Sequence, residues 1–177
     1  MKLGIDDKLV GALVAATNDA FSMAGISPLP VGASRIATPR HEFSVIVGMV
    51  GRNSGSMTLN LSKSAMFFVA QRLTEQPQNE ITEENIDAAM ELGNMLAGGV
   101  KEQLLGSAYE IAQISLPSMI ASHRYDVMFA RGILTVSVEF ELTEMPMTAF
   151  ADRYFSLSLS LLKGAGQSFD TPRDAAA

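Results

Sequence analysis

Apolar residues change their spacing several times along this chain, and each change marks an element. Leu9, Leu13, Thr17, Ala20, Phe21 and Ala24 recur at helical intervals behind Asp6 and Asp7, either of which suits an N-cap, and Gly25 followed by Pro28 suits a stop. A helix is predicted over about 8–24. From Phe43 the period falls to two. Phe43, Val45, Val47 and Met49 lead into the polar turn 52–55, and Met57, Leu59 and Leu61 follow, which predicts a β-hairpin.

Ser62 then suits the cap of an apolar helical run through Ala65, Phe68, Val69 and Leu73 that breaks near Gln76 and Pro77. Thr82 opens a third helix, with Glu83 and Glu84 in its first turn, where carboxylates complement the helix dipole. That pattern runs to Leu105, before Gly106. Further on, Glu110–Leu116, Tyr125–Ala130 and Ile133–Leu142 predict strands, with Gly132 a tight turn between the last two. A final strand, Arg153–Leu162, alternates Phe155, Leu157, Leu159 and Leu161 with Ser156, Ser158 and Ser160, so one face is expected buried and the other wet. At a sheet edge this strand would be free to pair with a second copy, and in the interior it would not. Alternation alone leaves both open.

These elements predict an α+β domain over residues 1–163, a mostly antiparallel sheet covered in part by three main helices, with a flexible tail over 164–177. A length of 177 residues suits one domain with a sizeable core. Zero cysteines exclude disulfide frameworks, thiolate chemistry and Cys-ligated metals. The net charge of −6, with 13 scattered Lys and Arg, points away from nucleic acid as a partner. His41 and His123 stand alone, too few for a zinc or histidine-based catalytic site, so no metal is expected on this chain. No apolar leader or membrane-length run is present, and a cytoplasmic protein without a membrane partner is expected.

The third helix is chemically the most telling. Residues three and four apart are neighbours on a helix surface, so Asp87, Glu91, Asn94, Gly98 and Lys101 form one row, opposite Ala89, Leu92, Leu96, Val100 and Leu104. Gly93, Gly98 and Gly99 each cost about 1 kcal/mol relative to Ala inside a helix, and something must offset that. Gly93 and Gly99 fall toward the buried side, where they admit close packing. Gly98 shares the outward row, where a missing side chain lets a partner surface come near.

Asp87, Glu91 three residues on from its successor, Asn94 after two more, and Pro117 after a gap of 22 residues resemble, position for position, the signature of the CheC, CheX and FliY chemotaxis phosphatases. The run from Glu91 to Gly98 and the order of elements resemble the CheX branch. This resemblance implies the same fold and a phosphatase acting on the aspartyl phosphate of a CheY-like response-regulator receiver domain. It implies Glu91 and Asn94 as catalytic residues, with Asn94 positioning the attacking water and Glu91 docking. Asp87, Gly98 and Lys101 become partner-binding residues and Pro117 a structural mark. No cofactor is expected on this chain, with Mg²⁺ carried by the receiver, and a homodimer is implied. CheC-type proteins carry a second motif on the first helix. The corresponding frame here is Gly11, Ala15 and Asn18, of which only the asparagine survives, so one site per chain is expected. The alternative is a non-catalytic regulator-binding or flagellar-switch module of the same fold, against which the retention of Glu91 and Asn94 argues.

Overall fold

The hairpin and helices form where the spacing places them, and their caps explain the boundaries. In the computed structural model, residues 5–77, 79–122 and 125–162 are described, apart from the side chains of 147–149. The 164–177 tail and His123 lie outside the described residues. Helix α1 (Asp7–Ser22) is capped by Asp6, whose carboxylate accepts from the backbone N–H groups of Lys8 at 3.0 Å and Leu9 at 3.2 Å. It ends where Gly25 takes a positive φ of 64°. Strands β1 (Leu29–Ser34), β2 (Phe43–Gly51) and β3 (Gly55–Leu61) follow, then helices α2 (Lys63–Thr74) and α3 (Glu83–Gln103). Strands β4 (Ile111–Ile114), β5 (Ser118–Ala121) and β6 (Ile133–Glu141), a 3-10 helix (Met147–Arg153) and β7 (Tyr154–Leu162) complete the chain.

All strand pairings are antiparallel, in the order β1-β6-β7-β3-β2-β4, with β5 also pairing with β2. The inward residues of the central strands, including Val45, Val47, Leu59, Leu157 and Leu159, are fully buried with the apolar faces of the helices in one core. Helix α1 lies against β6 and β7, where Phe155 stacks between Phe21 and Phe140 at centroid distances of 4.9 and 5.1 Å. Helix α3 packs beside α1 and over β2. No helix among the described residues is long and apolar enough to cross a membrane.

Three expectations need correction, one strand is new, and the place of the last strand is decided. Residues 125–130 form no strand; the place beside β2 is taken by β4 and β5, which divide the strand expected over 110–116 and extend it past Pro117. Strand β1 was not foreseen, because Pro30 and Gly32 interrupt it and both residue types are poor strand formers. The last strand is interior, held between β6 and β3, so it offers no edge to a second copy. Its serine face is not wet. Ser158 and Ser160 are buried, the former donating to Ser137 Oγ at 2.8 Å and the latter bonded to Thr135 Oγ1 at 2.9 Å. Hydroxyls satisfy one another across the strands, so small polar side chains tolerate the middle of the sheet.

Candidate functional site

Helix α3 starts at a capping box. Thr82 Oγ1 accepts from Asn85 N–H at 3.3 Å, and Asn85 Oδ1 accepts from Thr82 N–H at 3.1 Å. Ala89, Leu92, Leu96, Val100 and Leu104 are buried, which fixes the rotation of the helix about its axis.

Two glycines set how close the helix comes to its neighbours. A Cβ on Gly93 would stand 2.5 Å from Val45 Cγ1 on β2, and one on Gly99 would stand 3.0 Å from Ala16 Cβ on α1. The sheet and α1 therefore grip α3 on two sides of its buried half. The helix is further braced at its C-terminal end. The Tyr109 hydroxyl, just beyond α3, donates at 2.6 Å to the Asp6 carboxylate that caps α1. Burial, then the bond to this carboxylate, pushes the phenol well above the usual tyrosine range.

The opposite half is free. Asp87 and Glu91 are exposed, and Asn94, Gly98 and Lys101 are half-buried in the same row. Among the described residues, no hydrogen bond or ion pair engages the side chains of Asp87, Glu91, Asn94 or Lys101. A Cβ on Gly98 would meet nothing within 4 Å. The row is thus a ridge bearing an acid and an amide about one turn apart, with an open floor beside them.

Pro117 joins this ridge through the sheet. It lies in the link between β4 and β5, two residues before Met119, which pairs with Val45, the residue that Gly93 touches. The link is pinned: Ser115 N–H donates to Gly48 O at 2.9 Å, Gly48 N–H donates to Ser115 Oγ at 2.8 Å, and Ser115 Oγ donates to Leu116 O at 2.8 Å. Sequence reasoning placed Pro117 but missed Ser115 and Leu116, whose signal was only their adjacency to the proline. On α1, Gly11 and Asn18 are exposed and Ala15 half-buried, so the corresponding frame presents an amide without an acid.

Other chemistry lies elsewhere. Among the described residues, no three His, Cys, Asp or Glu side chains gather as metal ligands. A cavity of about 290 Å³ opens near the β1 edge, lined in part by Arg40, His41, Ser137 and Glu139. There burial lowers the His41 pKa and Arg40 pairs with Glu139 at 3.2 Å. None of the signature residues lines it.

Residues 43–141 match the family described as Chemotaxis phosphatase CheX. The CheY-P phosphatase CheX of Thermotoga maritima is 26% identical over 167 residues, covering 90% of this chain and 99% of that protein. Among solved structures, the chemotaxis protein CheX of Desulfovibrio desulfuricans superposes with a TM-score of 0.72 at 20% identity, over 86% of this chain and 98% of that one. The CheX-CheY-BeF3-Mg²⁺ complex of Borrelia burgdorferi gives a TM-score of 0.69 at 18% identity, over 90% of this chain and 99% of that one. With more than half of its length inside the family match and a fold shared almost end to end, the chain belongs to the CheX family of chemotaxis phosphatases.

Proposed function

We propose that this chain accelerates hydrolysis of the aspartyl phosphate on a CheY-like response regulator, with Asn94 and Glu91 as the working residues. One observation carries the reading: the row on α3 stands outward with its amide and acid unengaged within the described residues, while Pro117 is tied to the same helix through Met119, Val45 and Gly93.

A carboxylate and a carboxamide do not make a self-sufficient hydrolase; they complete a centre that another molecule supplies. The receiver brings the acyl phosphate, a lysine and the Mg²⁺ that offsets phosphoryl charge. The Borrelia complex, which unites CheX, CheY, BeF3 and Mg²⁺, supports that division of parts. Water attacks phosphorus, the bond from phosphorus to the acyl oxygen breaks, and the receiver aspartate leaves as carboxylate while inorganic phosphate forms. Phosphoryl transfer depends chiefly on positioning and electrostatics. An amide both donates and accepts, so Asn94 can hold the water in line without taking its proton. Glu91 meets the receiver's lysine in a charge-assisted contact that sets the ridge in register. Asp87 and Lys101 flank this contact, and the bare Gly98 admits the receiver's surface.

The frame on α1 keeps Asn18 but has Ala15 where the acid would stand, which supports one site per chain. The substrate places the reaction in the cytoplasm. If the chain pairs with a second copy by extending its sheet, then, since β7 is interior, it does so at the edge formed by β4 and β5 or at that of β1. On β1, Leu29 and Val31 are exposed, although Pro30 and the register shift beside it blunt that edge. Light scattering on the eluting protein distinguishes a dimer from a monomer.

The test of the main reading is phosphate release from a panel of phosphorylated receiver domains of the same cell. At least one should lose its phosphate faster in the presence of this chain. Binding without acceleration on every receiver would favour the non-catalytic module.

A further inference from the structure

The signature ridge is polar throughout, and polar and charged contacts give an interface register and on-rate more than affinity. Tight interfaces add a few rigid apolar anchors near their centre. Leu116 is 87% exposed, and it is not on a loose loop. Its carbonyl accepts from Ser115 Oγ, its neighbour Pro117 has a fixed φ, and Ser115 is bonded through both its N–H and its hydroxyl to the Gly48 backbone. Little backbone entropy remains for a partner to remove when it covers this side chain.

Its place in the fold is beside the ridge. Helix α3 lies over β2 with α1 on one flank, and β4 and β5 form the sheet edge on the other. At about 100° per residue, Asn94 and Lys101 are turned toward the Gly93 side of the helix, which faces β2, while Glu91 is turned toward the Gly99 side, which faces α1. Ser115 is level with Gly48, three residues along β2 from Val45 and hence about 10 Å from the Gly93 contact. Helix α3 runs in the same direction as β2, since Gly93 meets Val45 and the chain just beyond α3 pairs Ile111 with Gly51, so advancing about 10 Å from Gly93 takes about seven residues, to the neighbourhood of Lys101. Leu116 therefore flanks the Asn94 to Lys101 end of the ridge, on the sheet-edge side.

We propose that Leu116 is an apolar anchor, seating on a hydrophobic patch of the same receiver whose acyl phosphate faces Asn94. This rests on the reading of the ridge as the receiver-docking site. The partner it selects is a receiver with an apolar surface beside its phosphorylation site, and the anchor sets which regulator is served rather than how fast the bond breaks.

The experiment titrates a receiver that has been activated with beryllium fluoride, so that binding is read without hydrolysis, against the full chain and its Leu116→Ala, Leu116→Met, Ile36→Ala and Asn94→Ala variants. Leu116→Ala should weaken binding about tenfold, Leu116→Met should retain most of it, and Ile36→Ala, on the segment after the opposite edge strand, should leave it unchanged. With phosphorylated receiver, Leu116→Ala should raise KM with kcat unchanged. Unchanged affinity in Leu116→Ala, or a fall in kcat at constant KM, overturns the anchor. A melting temperature lowered in parallel with affinity also overturns it, because that would mark Leu116 as structural. The wider reading fails separately: a receiver held through Leu116 but never dephosphorylated would keep the anchor and sink the phosphatase, and a chain binding no activated receiver would sink both.

Discussion

Gly93 and Val45 meet so closely that a single methyl group on the glycine would fall 2.5 Å from Val45 Cγ1 and 3.3 Å from its Cβ. Asn94 is the next residue along. The contact that seats α3 on β2 therefore also fixes the direction in which the amide leaves the helix.

Gly93→Ala should destabilise the fold despite alanine's better helix propensity. The propensity gain is about 1 kcal/mol, whereas forcing a methyl into a fully buried contact with a stiff β-branched side chain costs about 1–3 kcal/mol. Urea unfolding should show a lower midpoint, and adding Val45→Ala should recover part of the contact strain while introducing its own cavity cost. A midpoint raised in the single variant would mean that the helix stands off the sheet.

Gly98→Ala should behave in the opposite way. Open space surrounds the new methyl, so stability should rise by up to about 1 kcal/mol. Affinity for the activated receiver should fall, since the methyl occupies the floor that a partner approaches. Higher stability with undiminished binding would remove Gly98 from the interface.

Tyr109→Phe should cost about 1 kcal/mol near neutral pH through loss of the bond to Asp6. It should also change the alkaline limb. The native phenol holds its proton above the pH, about 10, at which the unfolded chain releases it. The unfolded state then binds fewer protons than the native one, so wild-type stability falls as pH rises past that point. The variant lacks this component, and its alkaline decline should be shallower in unfolding curves measured at several pH values.

Glu91→Lys should weaken binding to the activated receiver by more than Glu91→Ala does, because in the proposed docking it reverses the charge that meets the receiver's lysine instead of merely removing it. Raising the salt concentration should narrow the gap between the two variants. Equal affinities for wild type and both variants, measured by titration at low salt, would leave Glu91 without a docking role.

The helices and the outward row on α3 were legible in the sequence because a period of 3.6 separates an inner from an outer face without reference to any other segment. Asp87, Glu91 and Asn94 could be placed in one row, and Gly93 and Gly99 on the packed side, before any partner was known. What those glycines touch was not legible, since Val45 and Ala16 reach them only through tertiary packing. Strands fared worse where pairing decides. The segment 125–130 carries apolar residues but forms no strand, whereas Ser118–Ala121 becomes one because β2 offers it a ladder. The alternation in β7 told two faces apart, but not that hydroxyls on β6 would pair with Ser158 and Ser160 and bury both faces.

In the proposed reaction, Asn94 acts on the attacking water. The most direct test of that role is phosphate release from a phosphorylated receiver in single turnover with Asn94→Ala, alongside the melting curve and the binding of beryllium fluoride-activated receiver. Stimulated release should fall to the receiver's own rate, with binding kept and a melting temperature equal to or slightly above that of the wild type, since alanine is the better helix former. Release at the wild-type rate from the well-folded variant would contradict that role.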